Sequence, residues 1–231
     1  MKNNIAIIPA RSGSLRIKGK NIKLFYGKPV ISYSIKTALR SKIFKKIVVS
    51  TDDIKIANIS RKYGASVDFL RPKKLANNKT GMLKVIKHSL FFYKKKKIKF
   101  ENICCIFPVA PLLKVSLLKK SLRYLKFKDV DFVFPVIKSN KKNSKFFSLD
   151  NKKRIKRIHK KFNKEYFSDA GQFYWGKLKT WEKNKKIFSN NSMVLICNQN
   201  DLIDVNDLKD WKNLVRRYKK LWVKYLYLII F

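Results

Sequence analysis

The chain has 231 residues, of which 45% are hydrophobic and 13% aromatic, a length and apolar content that suit one domain with one core. Its 56 Lys and Arg outweigh 14 Asp and Glu to give a net charge of +42, which favours association with polyanions at low salt. Only 10 of these cations are Arg, and Lys, Asn and Ile, whose codons are A/T-rich, are abundant. This composition favours genomic drift over a nucleic-acid-binding surface, so we expect no specific nucleic-acid partner. The charge alone keeps a basic RNA-binding protein as an alternative.

In chain order, strand-length apolar runs alternate with helix-length amphipathic stretches, which is the pattern of a mostly parallel sheet covered by helices. The predicted strands are 5–9, 46–50, 67–70, 102–107 and 131–136, and the predicted helices are 29–40, 54–63, 80–92 and 115–125. Residues 138–168 break this rhythm and are interpreted as an excursion from the sheet. Short strands at 172–175 and 193–197 and a charged terminal helix at 206–221 follow.

Neither end of the sequence predicts a targeting or membrane segment. The apolar run 5–8 is too short for a signal peptide, and residues 222–231 are too few to span a bilayer. We therefore expect a cytoplasmic protein without a membrane span. The last ten residues are expected to form a docking strand, a short helix against the core, or an extension set by composition.

The cysteines and histidines do not predict a zinc site. Cys104, Cys105 and Cys197 lack a C-x-x-C spacing, and His88 and His159 have no partner at a metal-ligand spacing.

A basic loop rich in Gly and Ser, residues 9–21, follows the first predicted strand. Open α/β sheets bind ligands at the carboxyl ends of their strands. Small residues let backbone N–H groups approach phosphate oxygens, and Arg11, Arg16, Lys18 and Lys20 can neutralise a triphosphate. The spacing excludes a P-loop and a G-x-G-x-x-G loop. The alternative is an exposed basic turn in a Lys-rich protein.

Several separated motifs carry a family resemblance: IIPARSGS at 7–14, KNIK at 20–23, GKPVI at 27–31, VSTDD at 49–53 and LRP at 70–72. In this order they resemble the CMP-sialic acid synthetases, also called acylneuraminate cytidylyltransferases. The later run DAGQFYWG at 169–176 is similar to one branch of that family, the pseudaminic acid cytidylyltransferases. The resemblance covers roughly residues 5 to 216.

The resemblance implies an α/β, three-layer, Rossmann-like fold of the nucleotide-diphospho-sugar transferase type. It implies one domain over residues 1–221, a homodimer contact through the excursion 138–168, and an apolar extension at 222–231. The implied reaction transfers CMP from CTP to the anomeric hydroxyl of a nonulosonic acid, foremost pseudaminic acid, and releases pyrophosphate for glycan biosynthesis. N-acetylneuraminate, legionaminate and Kdo are alternative substrates, and a degenerate homologue that only binds nucleotide is an alternative function.

By the same resemblance, the triphosphate and ribose are held by Ala10, Arg11, Ser14, Lys20 and Asn21. Arg11 and Lys20 are expected to be catalytic, because attack at the α-phosphorus concentrates negative charge that fixed cations stabilise. Arg71 is expected to reach toward the cytosine. Thr80 either caps a helix, which we favour, or bonds the base.

In relatives, Mg²⁺ is held by an I-D-x-D motif, and here that stretch contains Asp204 and Asn206. The neutral amide at 206 predicts weaker Mg²⁺ binding unless Asp207 or Asp201 compensates. Asn206 could equally be the N-cap of the terminal helix. The 9–21 loop also departs from the family pattern, at Leu15, where a Lys is expected.

The sugar pocket is expected in the second half, with Asp169, Gln172 and Tyr174 as its polar groups. Because side chains alternate along a strand, we predict that Gln172 and Tyr174 face the site while Phe173 and Trp175 are buried. His159 lies in the basic run 152–161, for which a solvated charge run is the default interpretation. Phe146, Phe147 and Phe162 are candidate dimer anchors.

Overall fold

A computed structural model of the chain describes residues 3–139, 146–156, 166–183 and 186–230. His159, Phe162 and the side chain of Phe146, which the sequence analysis singled out, lie outside what is described. Within the described ranges, no helix is long and apolar enough to cross a membrane.

The chain alternates strands and helices through its first half, as the sequence predicts. The strands are β1 (Asn4–Pro9), β2 (Leu24–Phe25), β3 (Lys28–Pro29), β4 (Lys46–Ser50), β5 (Asn102–Ile106), β6 (Phe132–Ser139), β7 (Phe146–Leu149), β8 (Ile155–Lys156), β9 (Tyr166–Asp169), β10 (Phe173–Lys177) and β11 (Ser192–Cys197). The helices are α1 (Ile31–Ser41), α2 (Ile54–Lys62), α3 (Met82–Lys95), α4 (Val115–Tyr124), α5 (Leu178–Glu182) and α6 (Leu208–Ile230).

The central sheet has the order β4-β1-β5-β10-β6-β9-β7-β8, with β11 on the other edge of β6. β1 pairs in parallel with β4 and β5, and β11 pairs in parallel with β6. β10 is antiparallel to both β5 and β6, so β5 and β6 point the same way. Five strands therefore share one direction, and the predicted mostly parallel α/β sheet is confirmed.

Alternation along β1 divides the core into two layers around the sheet. Ala6 and Ile8 pack in one cluster with residues of α1, α2 and α4, whereas Ile5 and Ile7 pack in another with residues of α3 and α5. A third cluster, which includes Phe25 and Trp211, holds α6 against the segment that follows the 9–21 loop. The fold is therefore three-layered, and its helices leave the strand ends open.

The described parts of 138–168 form β7, β8 and β9, which extend the sheet rather than leave it, so the expected excursion from the sheet is corrected. Apolar side chains of these strands, including Phe147, Ile155 and Phe167, are buried in the same cluster as Phe134. Arg154 bridges Met193 of β11, which brings the end of this segment back to the sheet. Burial of these apolar residues explains why the segment follows the sheet.

Two other expectations about elements were wrong. Residues 67–70 form no strand and instead flank β4 through isolated bridges from Ser66 to Val48 and from Leu70 to Thr51. The terminal helix begins at Leu208, not 206, and its backbone continues to Ile230. Its start follows from Asp207, whose carboxylate accepts a hydrogen bond from the Asp210 N–H at 2.9 Å.

Candidate active site

A cavity of about 270 Å³ lies beyond the carboxyl ends of β1 and β5. It gathers residues that are far apart in sequence, which are Arg11, Ser14, Arg16, Lys20, Asn21, Arg71, Thr80, Phe107, Gly171, Asp204 and Asn206 among others. Most of the nucleotide residues predicted from the sequence and both predicted metal ligands thus share one cavity. Ala10, Asp169, Gln172 and Tyr174 are not among the residues that line it.

The 9–21 loop is held in shape from beneath. Ala10 is fully buried and donates its N–H to the Ser50 carbonyl at 2.9 Å. The Asn21 side chain is buried and donates to the Arg11 carbonyl at 2.8 Å, which closes the loop on itself. Gly19 has a φ of +61°, a left-handed conformation that a residue with a side chain rarely adopts. Ala10 and Asn21 therefore fix the loop backbone from which Arg11 enters the cavity.

Positive charge converges at the loop end of the cavity. The Lys20 ammonium donates to the Val205 carbonyl at 2.8 Å and lies near Arg11, Arg16 and Asp204. Burial is the largest cause of the lowered pKa of Lys20, Arg16 and Arg11 lower it further, and Asp204 opposes them. Three cations near two carboxylates, Asp204 and Asp210, form a site with an excess of positive charge, suited to a polyanionic ligand.

Asp204 and Asn206 lie side by side, with the amide turned toward the acid. The Asn206 amide nitrogen donates to Asp204 Oδ2 at 2.7 Å, and its oxygen accepts from Arg16 Nη2 at 3.2 Å. The expected alternative role of Asn206 as the N-cap of α6 is wrong, because Asp207 occupies that position. The backbone N–H of Asn206 donates instead to Asp210 at 2.9 Å, so the first turn of α6 fixes the position of Asn206.

Gly171 makes room for Asp204. Its φ is +59°, and a Cβ atom at this position would lie 2.5 Å from Asp204 Cγ, far inside van der Waals contact. The glycine therefore allows the 169–172 turn to approach the acidic side chain closely. This function of Gly171 was not predicted from the sequence, although the residue stands within the DAGQFYWG motif.

The donor set suits a divalent cation that takes most of its ligands from a nucleotide. Within the described ranges, no group of three or more His, Cys, Asp or Glu side chains converges on a metal position. Asp201 does not compensate, since it pairs with Lys114 at 2.9 Å, and Asp207 caps α6. Mg²⁺ is commonly held by one or two carboxylates together with phosphate oxygens and waters, so Asp204 beside the cationic loop fits such an ion.

Arg71 also lines the cavity and is 4% exposed. Its Nη2 lies 3.7 Å from Asp52 Oδ1, an ion-pair distance that is too long for a hydrogen bond. Its Nε and Nη2 atoms are buried without a hydrogen-bond acceptor in the described part of the chain. Burial is the main cause of the lowered pKa of this guanidinium, and Asp52 opposes it. A buried cation with unused donors is the arrangement expected of a site completed by a ligand.

Thr80 does not cap α3, so the favoured expectation is wrong. The helix begins at Met82 after Gly81, and no side chain caps it. The Thr80 hydroxyl bonds Asn77 Oδ1 at 3.0 Å and the Lys74 carbonyl at 3.3 Å. Asn77 Oδ1 also accepts the Thr80 N–H at 2.8 Å, which shapes this loop into a wall of the cavity next to Arg71.

The predicted sugar-binding residues are buried and largely bonded within the protein. Gln172 is 1% exposed, and its amide nitrogen donates to the carbonyls of Ala170 at 2.8 Å and Ile203 at 2.9 Å. Its oxygen finds no donor among the residues that the structure describes. Tyr174 donates its hydroxyl to Asp169, and its pKa is raised well above the usual value, first by burial and then by that carboxylate.

Side chains alternate along β10 as predicted. Phe173 and Trp175 pack in the cluster of α1, α2 and α4, and Tyr174 packs in the opposite one. Tyr174 is nevertheless buried among Phe107 and Phe134 rather than lining the cavity. The alternation correctly placed Tyr174 on the face opposite Phe173 and Trp175, but it could not show how deeply the Tyr174 side chain is buried on that face.

Sequence reasoning missed one contact that joins two walls of the site. Asp52 follows β4 and accepts hydrogen bonds from the Ser12 hydroxyl at 2.6 Å and the Ser12 N–H at 3.1 Å. Both residues stand in motifs that were recognised, but no spacing rule indicates that these two motifs touch. Their position at the ends of neighbouring parallel strands was the available signal.

Comparison with known proteins adds three findings. A family model described as cytidylyltransferase matches residues 5–206. The pseudaminic acid cytidylyltransferase of Campylobacter jejuni serotype O:2 is 34% identical over 217 residues, covering 90% of this chain and 92% of that protein. The CMP-N,N′-diacetyllegionaminic acid synthase of Legionella pneumophila is 30% identical over 217 residues, also covering 90% of this chain and 92% of that protein.

Among solved structures, the CMP:2-keto-3-deoxy-manno-octonic acid synthetase complexed with CTP has a TM-score of 0.76 to this chain. The two are 13% identical, and the match covers 94% of this chain and 98% of that one. HddC from Yersinia pseudotuberculosis has a TM-score of 0.64 at 14% identity and covers 93% of this chain and 99% of that one. These similarities establish the fold.

Proposed function

The chain belongs to the cytidylyltransferase family, and from this premise we propose that it transfers CMP from CTP to a nonulosonic acid, foremost pseudaminic acid. The anomeric hydroxyl oxygen of the acid attacks the α-phosphorus and forms a new P–O bond. The bond from the α-phosphorus to the bridging oxygen breaks, pyrophosphate leaves, and the hydroxyl proton is released. The choice of pseudaminic acid rests on the 34% identity to the Campylobacter protein and on the 169–176 motif.

The observation that carries this proposal is the single cavity that joins a cationic end to the buried Arg71. The transition state of phosphoryl transfer spreads negative charge over the non-bridging and leaving oxygens. Arg11, Arg16 and Lys20 line the cavity, and as fixed cations they would stabilise that charge without the reorganisation that water would need. Arg71, which lines the same cavity, is a guanidinium that can only donate, and the acceptors of cytosine would suit it.

The cofactor we infer is Mg²⁺, held on the protein side by Asp204 and next to Asn206. If bound there, a divalent ion would supply charge neutralisation to the phosphate oxygens, with Asp204 as the residue that would hold it. Because Asn206 contributes no charge and turns its amide N–H toward Asp204, binding of the ion depends on that one carboxylate and on the nucleotide.

We further infer a cytoplasmic location, because the proposed substrate CTP is a cytoplasmic nucleotide. A homodimer that uses residues 138–168 and the roles of Asp169, Gln172 and Tyr174 toward the sugar stay predictions. The sugar acid would enter on the side of Gly171, which lines the cavity beside Asp204.

Pyrophosphate release tests the proposal. Purified protein is given CTP, Mg²⁺ and, one at a time, pseudaminic, legionaminic and N-acetylneuraminic acids and Kdo, and the CMP-linked product is identified by mass spectrometry. We expect the highest kcat/KM with pseudaminic acid. A higher kcat/KM with another of these acids would identify that acid as the substrate and leave the assignment to the cytidylyltransferase family unchanged. Tight CTP binding without pyrophosphate release in the presence of any of these acids would indicate a homologue that only binds nucleotide. The neutral Asn206, in place of an acidic metal ligand, is the observation that favours this alternative.

A further inference from the structure

We propose that Asp52 is a positioning residue that sets the selectivity of the site for cytosine, by holding Arg71 in register with the phosphate-binding loop. This inference rests on the proposed function, because it takes Arg71 to be the group that meets the base. Asp52 itself does not line the cavity and makes no contact with the reacting atoms.

Asp52 joins two walls of the cavity through its two oxygens. Oδ2 accepts the Ser12 hydroxyl at 2.6 Å, and Oδ1 accepts the Ser12 N–H at 3.1 Å. The same Oδ1 lies 3.7 Å from Arg71 Nη2. One carboxylate is therefore shared between the start of the phosphate-binding loop and the Arg71 guanidinium.

The backbone reinforces this link. The Arg71 N–H donates to the Thr51 carbonyl at 2.6 Å, directly beside Asp52, and Leu70 forms a bridge with Thr51. The side chains of Arg71 and Asp52 are 3% and 11% exposed, so the ion pair is little screened by water. Thr51 therefore holds the Arg71 backbone, and the adjacent Asp52 orients the Arg71 guanidinium.

The charge of Asp52 is maintained by its surroundings. Burial raises the pKa of this carboxyl, but the hydrogen bonds from Ser12 and the charge of Arg71 outweigh burial and hold the pKa below its ordinary value of 3.8. A neutral Asp52 would leave the buried guanidinium without a counter-charge.

Orientation of Arg71 matters because a guanidinium only donates hydrogen bonds. Cytosine presents two acceptors, O2 and N3, whereas uracil presents an N3–H that would face another donor. A guanidinium whose plane is fixed therefore favours cytosine, and a loosely held one can turn away from the mismatch. Because Asp52 lies beside Nη2, it sets the plane of the whole guanidinium and thereby the direction of the N–H groups that meet a base.

The experiment measures binding of CTP and UTP by calorimetry with Mg²⁺ and without sugar acid, so the readout does not require turnover. For Asp52→Asn we expect CTP affinity to fall about tenfold and the CTP/UTP affinity ratio to fall by a similar factor, since UTP never used the fixed donors. The matched control is Asp53→Asn, the same change one residue away. Asp53 caps α2 by accepting the Ile56 N–H at 2.8 Å, and Asn caps equally well, so both affinities should stay unchanged.

Equal losses for CTP and UTP in Asp52→Asn, or no loss in a folded variant, would overturn the proposal, because a merely structural role predicts no change in the ratio. If Asp52→Asn does not fold, Ser12→Ala serves in its place, and we expect the ratio to fall about threefold as the carboxylate loses one of its two anchors. An unchanged ratio in Ser12→Ala would then overturn the proposal. Absence of turnover in the wild type, with the ratio effect present, would refute only the proposed function.

Discussion

The two sides of the site use their polar groups differently. On the loop side, Arg11, Arg16 and Lys20 line the cavity with Asp204, and two buried nitrogens of Arg71, Nε and Nη2, have no acceptor in the described part of the chain. On the side of the 169–176 motif, several buried groups are bonded within the protein: Tyr174 to Asp169, and the Gln172 amide nitrogen to two carbonyls. Gln172 Oε1 and Trp175 Nε1 have no partner among the described residues, so the contrast concerns the charged groups and their partners.

This difference separates groups that wait for a ligand from groups that shape the wall. An unpaired buried donor is unfavourable until a ligand supplies an acceptor, so the loop side is built for a nucleotide. A buried hydrogen-bonded pair such as Tyr174 and Asp169 gains little free energy from a ligand. Such a pair affects activity by fixing the positions of neighbouring residues. The contrast predicts that substitutions on the loop side impair turnover most and that those on the other side act through geometry.

The largest expected effect is loss of a loop-side cation. Arg11→Ala and Lys20→Ala should each lower kcat by two orders of magnitude or more, because each removes a fixed charge worth about 3 kcal/mol to the transition state. Steady-state pyrophosphate release measures this. Lys18→Ala is the matched control, since Lys18 is an exposed cation of the same loop that does not line the cavity. Turnover within a few-fold of wild type would remove Arg11 or Lys20 from the mechanism.

Gly171→Ala should lower kcat/KM by more than tenfold through geometry alone, because its Cβ would displace Asp204. Gly27→Ala is the control for backbone strain: Gly27 also has a positive φ, +74°, but a Cβ there meets nothing within 4 Å. Equal losses of activity in the two variants would show that backbone strain, and not displacement of Asp204, causes the loss.

Asn206→Asp should lower the Mg²⁺ concentration for half-maximal activity by about tenfold, which corresponds to ~1.4 kcal/mol for one added charge-assisted contact. The substitution replaces the N–H that now faces Asp204 with a second carboxylate. A magnesium titration measures the shift, and Asn200→Asp adds the same charge at an exposed position outside the cavity. Superimposed curves for wild type and Asn206→Asp would exclude Asn206 from the metal site.

The smallest expected effect is at Gln172. Gln172→Leu should raise the KM for the sugar acid several-fold, while the KM for CTP stays within twofold. The same substitution should lower the free energy of unfolding by about 2 kcal/mol, because the buried carbonyls of Ala170 and Ile203 lose their donor. Kinetics and urea denaturation measure the two effects. Gln199→Leu, at an exposed position, should change neither. Equal rises of both KM values would mark Gln172 as a packing residue only.

The fold could be predicted where a local pattern determines it. Alternating apolar runs identified β1, β4 and β5, and the periodicity of residues 115–125 identified α4 within one residue. Residues 67–70 look equally apolar but form only isolated bridges, because pairing depends on which neighbour is available rather than on composition. The strands within 138–168 were missed for a different reason. The polar residues of this segment conceal the few apolar positions that are buried.

The site could be predicted where one motif carries one function. Arg11, Arg16, Lys20, Arg71 and Asp204 were found from the basic loop and the motifs, and they line one cavity, whereas the loop cation Lys18 does not. The contact between Ser12 and Asp52 and the approach of Gly171 to Asp204 join segments that are distant in sequence. No single motif records such contacts. The cap of α6 was misassigned by one residue because Asn206 and Asp207 are both good N-caps, and only hydrogen-bond geometry distinguishes them.

The central claim, attack at the α-phosphorus of CTP in the cationic cavity, is tested most directly by the fate of isotopic label. Purified protein, Mg²⁺ and pseudaminic acid are incubated in parallel with CTP labelled at the α- or the γ-phosphorus, and the products are separated. The account predicts that α-label appears in a CMP–sugar acid and γ-label in pyrophosphate. Label from the γ-position in the sugar product, or release of γ-label as inorganic phosphate without a CMP-linked product, would contradict it.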